Sequence, residues 1–341
     1  MTSFNAIDLF SGCGGLSEGL RQAGFKVVIS VEVNSDAVRT YKLNHPETHV
    51  IQRDIRDLTA DDLCNVLGSQ TVDLVAGCPP CQGFSSMRRL NRRSSVRDDR
   101  NSLVLEYFRI IKIFRPRAIM MENVPALERY YLFKQTVREL KALGYSLDFR
   151  ILNVSNYGVP QRRKRLVMLG SRIGDVRIPD GDNTTTRTVR EIIGALPHPE
   201  DSDDFVHKRH SHHGMRISQM IALIPSNGGS RTSLPEDMIL ECHKKKNVGF
   251  KDVYGRLSWD TISSTITGGC LNPSKGRFLH PEQNRSISAR EAALLQTFPP
   301  NYQFPSDIAL DDLALLIGNA LPPMFSFHQA KYLMEHLQKV F

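Results

Sequence analysis

No apolar run in the 341-residue sequence approaches the ~18 residues that spanning a bilayer requires, which excludes a membrane protein. The opening segment, MTSFNAIDLF, lacks a basic stretch followed by a long apolar one, so it reads as a first strand rather than an export signal. A cytoplasmic location is therefore expected. Cysteine is scarce: the six residues Cys13, Cys64, Cys78, Cys81, Cys242 and Cys270 are too sparse and irregular for a disulfide framework, and free thiols are expected. Only one C-x-x-C pair exists, Cys78 to Cys81, and the histidine-rich HKRHSHH (207–213) stands apart from it in a polar region. A zinc site needs further ligands at matching spacing, so no metal is expected. The G-x-G-x-x-G pattern of dinucleotide-binding loops is also missing, since Ser17 stands where its third glycine belongs. That absence disfavours a nicotinamide oxidoreductase.

The first half alternates short apolar runs with helical patterns: AIDLF, LSEGLRQAG, KVVISVEV, SDAVRTYKLNH, HVIQRDI, VDLVAGC, LVLEYFRIIKIF, AIMMENV. This spacing predicts right-handed βαβ units and an α/β fold with a mostly parallel sheet. After residue ~175 the sequence turns polar and aperiodic, rich in Pro, Asp, Thr and Gly. A first domain over 1–175, a loop-rich second domain with short strands over 176–285 and a return to the first over 286–341 are expected. Capping boxes at Thr188 to Glu191 and Ser288 to Glu291 open helices, and Pro322 or Pro323 opens a last one.

In DLFSGCGGLSEGL, Gly12, Gly14 and Gly15 separate the first strand from the first helix, where glycines allow close approach of a ligand to backbone N–H groups. Glu32 ends the second strand, twenty residues after Gly12, where a carboxylate can accept from both hydroxyls of a ribose. Asp54, after the third, can reach an adenine amino group. A nucleoside ligand at three successive strand ends follows. The fourth strand ends in GCPPC and the fifth in Glu122, which brings a thiol, Cys81, and a carboxyl to one pocket. The net charge of +8 is moderate, but six arginines crowd into positions 88–100 directly after the cysteines, as a loop gripping phosphates would require.

Together, DLFSGCGG, GCPPCQGFS, MENVPAL, QRRKRLVMLG, SAREAALLQTFP and GNALPP, in that order, resemble the cytosine-5 DNA methyltransferase family of bacterial restriction-modification systems. The resemblance implies a Rossmann-like methyltransferase fold with helices on both faces of the sheet and a smaller target recognition domain. It implies S-adenosylmethionine as cofactor, S-adenosylhomocysteine as product and double-stranded DNA as substrate. It makes Cys81 the nucleophile toward carbon 6 of a flipped-out cytosine, and sets Glu122, Arg163 and Arg165 around the ring. Carried over in the same way, Phe10, Ser11, Gly12, Gly14, Gly15, Leu16, Glu32, Val33, Asp54, Ile55, Pro80, Leu103, Asn319 and Ala320 hold the cofactor. DNA contacts fall to Gln82, Ser85, Arg88, Arg89, Arg92 and Arg93 in the loop, and to Arg231 and Arg256 in the recognition domain. A monomer is expected, with a cognate restriction endonuclease as functional partner. A transfer-RNA cytosine-5 methyltransferase would share every catalytic segment, but the Cys-Phe-Thr tripeptide of that branch does not occur.

Overall fold

The computed structural model describes residues 4–80, 102–182, 186–244 and 252–339. The chain divides into two compact units: residues 1–157, 164–182 and 321–341 form the first, and 158–163 with 183–320 the second.

The first unit is built on one seven-stranded sheet, made of β1 (Asn5–Leu9), β2 (Lys26–Glu32), β3 (His49–Gln52), β4 (Leu74–Gly77), β5 (Ala118–Asn123), β6 (Ser146–Asn153) and β7 (Lys164–Ser171). The strand order is β3-β2-β1-β4-β5-β7-β6. β7 runs antiparallel to both neighbours, while the other pairings are parallel. The predicted segments are all present. Helices α1 (Gly15–Gln22) and α2 (Ser35–Asn44) carry the chain outward from β1 to β3. Helices α3 (Ala60–Leu67), α4 (Leu103–Phe114) and α5 (Tyr131–Ala142) belong to connections running the other way. Right-handed crossovers in opposite directions place the two groups on opposite faces. The packing agrees: residues of α3, α4 and α5 share one core with Ile7, Leu9, Ile119, Met121, Leu166 and Met168 of the sheet.

The strand order reverses at β1 and β4, so their carboxyl ends open on a crevice where ligands bind in sheets of this kind. β4 approaches β1 closely there; a Cβ at Gly77 would lie 2.8 Å from the Leu9 carbonyl oxygen.

The second unit holds short helices, 3-10 turns and isolated bridges such as Arg256 with Leu279. Its composition predicts short strands, but among its described residues no bridge extends into one. Frequent Pro and Gly interrupt the ladders. Both capping boxes form, opening α6 (Val189–Ile193) and α9 (Ala289–Leu295), which are separated by α7 (Phe205–Lys208) and α8 (Met215–Leu223). The chain leaves this unit at 320, after α10 (Leu310–Asn319), and not at 285 as the composition suggests. The reason lies in α9: Ser288 bonds His207 at 2.8 Å, and Arg290 pairs with Asp204 at 2.5 Å, so its polar face is committed to α7 and its N-cap. Pro323 then opens α11 (Pro323–Gln338), which packs on α1 in the first unit.

Candidate active site

The glycine loop is set by its backbone. Gly12 and Gly14 have φ of 54° and 95°, in the left-handed region that favours glycine, and Phe10 joins them at 61°. Ser11 N–H donates to the Val31 carbonyl and Gly14 N–H to that of Ser11, which folds the loop back over β2. Gly14 is the N-cap of α1, which no side chain caps; Gly15 and the buried Leu16 are its first residues.

Glu32, at the end of β2, accepts from Gly12 N–H on Oε2 at 2.8 Å. Its Oε1 accepts from Val33 and Asn34 N–H at 2.9 and 2.8 Å. The carboxylate is thus fixed by three backbone donors, with a fourth acceptor site left for a ligand hydroxyl. Val33 beside it is 63% exposed, and Phe10 lies half-buried against the core. Asp54 is more committed than its motif position implies. Oδ1 accepts from Arg56 N–H and Nε and Oδ2 from Nη2, an arrangement that holds its carboxyl below the usual range and leaves one acceptor position on Oδ2. Ile55 after it is buried, as is Leu103 at the start of α4.

Glu122 is the penultimate residue of β5, 8% exposed, and pairs in register with Val167 of β7. Two residues nearer the start of β7, Arg165 brings Nε to 2.6 Å from Glu122 Oε1. From Gln161 to Arg165 exposure alternates as an extended chain demands: Gln161 and Arg163 are buried, Arg162 and Lys164 exposed, and Arg165 between. Arg163, 3% exposed and in the second unit, donates from Nη1 to the carbonyls of Ile266 and Gly318 and from Nη2 to that of Ala320. Gln161 bonds Gln296 at 2.6 Å. Asn319 and Ala320 lie in the same unit, at the end of α10.

The turn after β4 carries Cys78, Pro79 and Pro80. Cys78 N–H donates to the Leu9 carbonyl at 3.2 Å, and burial followed by the charge of Glu122 pushes its thiol well above the usual range. Burial likewise raises the Cys13 thiol to about 12. Neither is a ready nucleophile. One tie escapes a reading by motifs: Asn123 Nδ2 donates to the Pro79 carbonyl at 2.7 Å, clamping the end of β5 to the turn that leads into Cys81. A polar residue beside Glu122 on a strand otherwise apolar is the available signal. Cys81, Gln82, Ser85, Arg88, Arg89, Arg92 and Arg93 lie outside the described residues.

Of the recognition-domain candidates, Arg231 opens a 3-10 turn and is half-buried. Arg256 corrects its expectation. It is 1% exposed, and its guanidinium donates to the carbonyls of Ile221, Ile224, His280 and Gln283 and to Asn284 Oδ1. Those bonds serve the end of α8 and a neighbouring loop, so Arg256 is an internal brace and not a DNA contact. Among the described residues no cluster of three His, Cys, Asp or Glu side chains suits a metal ion.

A doubly wound sheet with a left-handed glycine loop at its switch point, and an acid–arginine pair at the neighbouring strand end, is the architecture of an α/β enzyme of the methyltransferase fold. The chain superposes on a prophage-encoded Escherichia coli protein with a TM-score of 0.73 at 25% identity, covering 98% of this chain and 100% of that one. The Entamoeba histolytica methyltransferase EhMeth gives 0.67 at 16% identity over 99% of each chain, a likeness of fold. Residues 4–335 match the family model described as C-5 cytosine-specific DNA methylase. The chain belongs to that family and is a DNA (cytosine-5)-methyltransferase. Type II methylase M.HgiDII of Herpetosiphon aurantiacus is 34% identical over 93% of this chain and 91% of its own. Type II methyltransferase M1.HphI of Haemophilus parahaemolyticus is 32% identical over 95% and 85%.

Proposed function

We propose that this enzyme methylates carbon 5 of a cytosine flipped out of a specific duplex DNA sequence, through a covalent adduct with Cys81. In this reading it protects host DNA in the cytoplasm as a monomer, alongside a cognate endonuclease. The observation that carries the reading is the Glu122–Arg165 pair, 2.6 Å apart, with Asn123 clamped to the turn two residues before Cys81.

Phe10, Ser11, the Gly12–Leu16 turn, Glu32 with Val33, Asp54 with Ile55, Pro80, Leu103, Asn319 and Ala320 would hold S-adenosylmethionine. The donor set suits it: a fixed carboxylate with one acceptor site left for a ribose hydroxyl, an uncapped helix start and a loop in left-handed backbone. Bound there, the cofactor supplies an electrophilic methyl group. The protein's part is to make carbon 5 electron-rich enough to accept it. The Cys81 thiolate adds to carbon 6, and the Glu122 carboxyl, hydrogen-bonded to the ring nitrogen, lets the charge displaced by sulfur settle on the pyrimidine edge. Arg165 keeps Glu122 aimed. Lowering a free thiol's pKa to about 7 raises its ionised fraction only ~15-fold, about 1.6 kcal/mol, so the larger share of rate acceleration comes from this electrostatic side.

The six arginines between positions 88 and 100 are assigned to phosphate contacts around the extruded base. A duplex carrying 5-fluorocytosine in the recognised sequence tests the proposal: with the methyl donor present, a denaturation-stable adduct is expected from the native enzyme and none from Cys81→Ser. An enzyme that turns over normally with serine at 81 overturns the covalent route, and methylation of transfer RNA in preference to duplex DNA overturns the substrate.

A further inference from the structure

A surface cavity of about 620 Å³ lies beside α5 in the first unit and contains no residue of the candidate active site. Its floor is aromatic. Phe133 of α5, 1% exposed, meets Phe149 of β6 edge to face with ring centroids 5.4 Å apart, and Val137 lies one helical turn on from Phe133. Tyr131, 65% exposed, forms one wall at the start of α5. The rim is cationic: Arg129 from the 3-10 turn before α5, and Lys134 and Arg138 on successive turns of the helix, with Glu128 as the one acid of the lining. Arg109, Arg117 and Arg150 of the same unit each pair with a carboxylate. Among the described residues Arg129, Lys134 and Arg138 pair with none.

Phe149 also belongs to the last strand of the sheet. β6 pairs with β7 in unbroken register from Ser146 to Asn153, and among the described residues no backbone segment pairs with its other edge. Edge strands in soluble proteins are commonly short, bulged or interrupted by proline or lysine. The eight residues SLDFRILN show none of these devices. Side chains alternate along the strand, so Leu147, Phe149 and Ile151 share the face of α5, and Ile151 is 42% exposed there. Asp148 and Arg150 stand on the opposite face, where Asp148 accepts from Ile178 N–H and Arg150 pairs with Asp180.

We propose that β6 and the cavity beside it form a docking site for an acidic segment of a partner protein, which adds to the sheet as an extended strand and seats one apolar side chain against Phe133 and Phe149. A strand laid along β6 takes main-chain hydrogen bonds from the open edge and carries alternate side chains on the α5 face, next to Phe149. Carboxylates two positions to either side of the anchor share that face and meet Arg129, Lys134 and Arg138. A second copy of this chain fits poorly, because a two-fold contact would set the same three cations against one another in a chain of net charge +8. Duplex DNA offers phosphates to the rim, but no apolar group to the floor and no partner to the strand edge.

Fluorescence anisotropy of the full chain tests this with a short labelled peptide in which glutamates alternate with threonines and the central glutamate is replaced by phenylalanine. Saturable binding that weakens as salt rises is expected. Alanine in place of the central phenylalanine should weaken it by at least ~10-fold. The combined variant Arg129→Glu, Lys134→Glu and Arg138→Glu should weaken it at least as much, with methylation of duplex DNA and the melting temperature unchanged. Bound peptide should also slow amide hydrogen exchange in β6. No saturable binding, equal affinity for the alanine peptide, or unchanged exchange in β6 overturns the proposal. A combined variant that loses DNA affinity, while the peptide binds neither protein, assigns the patch to nucleic acid and overturns it as well. Should that variant fail to fold, a peptide with glutamine in place of glutamate makes the same test of charge on the native protein, and undiminished binding of it refutes the acidic partner.

Discussion

Arg165 Nε stands 2.6 Å from Glu122 Oε1, with side chains only 16% and 9% exposed, on two antiparallel strands whose register fixes both. A pair this far from water holds little net stability but is costly to break, because the survivor is left buried and uncompensated. Arg165→Ala is therefore expected to lower kcat by at least ~100-fold and to destabilise the first unit by roughly 3 kcal/mol. Arg165→Lys keeps the charge but not the planar donor fork, and should recover stability better than turnover. Single-turnover methylation and urea unfolding read the two effects; a lysine variant with full activity would show that charge alone suffices.

Arg256 leads to a separation of folding from DNA binding. Its five hydrogen bonds serve four carbonyls and one amide oxygen, two of them at the C-terminal end of α8. Arg256→Ala leaves those acceptors buried and unpaired, each costing on the order of 1 kcal/mol or more, so a loss of roughly 3–5 kcal/mol is expected. The salt dependence of DNA affinity should not change. Replacing Arg88, Arg89, Arg92 and Arg93 together should do the reverse, flattening the logarithmic salt slope by as much as ~0.9 for each phosphate that is no longer neutralised. Filter binding across salt concentrations, with unfolding curves beside it, distinguishes the two classes of arginine.

Close helix packing gives a third test. In α1, a Cβ added at Gly19 would fall 1.9 Å from Ser326 Oγ and 2.6 Å from both Phe327 N and Pro323 O of α11. Backbone atoms cannot yield as a side chain does. Gly19→Ala is expected to destabilise by roughly 1–3 kcal/mol despite alanine's better helix propensity. Adding Ser326→Ala should rescue little, since two of the three clashes are with backbone. A full rescue in thermal melts would show that the hydroxyl alone sets the spacing.

These cases show what can be read from the sequence. The strands, the glycine loop and both capping boxes are legible because each is decided within a few residues: Thr188 and Ser288 meet partners three positions on. Glu122 and Arg165 are legible as members of ordered motifs. Arg256 is not, because its fate depends on carbonyls 24 to 35 residues away, and in sequence a buried brace looks the same as a phosphate contact. The exit from the second unit at 320 is hidden for a related reason. The amphipathic pattern of α9 shows that one face is buried, but not that the face belongs with Asp204 and His207.

His280 supplies a pH dependence whose sign can be fixed. The side chain is 3% exposed, and its Nδ1 accepts from the backbone N–H groups of Glu282 and Gln283 at 3.2 and 3.0 Å. An acceptor at Nδ1 places the hydrogen on Nε2, which lies 3.8 Å from Glu291 Oε1. Burial outweighs the pull of Glu291, itself held by Arg285, and lowers the imidazole to about 4. The unfolded chain takes up this proton near pH 6.5, well before the folded one. The stability contribution is therefore full above pH 6.5 and is lost as pH falls from there toward 4, by up to about 3 kcal/mol. Asp8 works in the opposite direction: its raised carboxyl lets the folded state bind the extra proton, so stability falls as pH rises from about 4 to about 7. His280→Asn, which offers an amide oxygen in place of Nδ1, is expected to lose the acid-side decline while Asp8→Asn loses the other. Urea midpoints at half-unit intervals from pH 4 to 8 would resolve both slopes, and a His280→Asn profile parallel to the native one would mean that the imidazole is not the group being titrated.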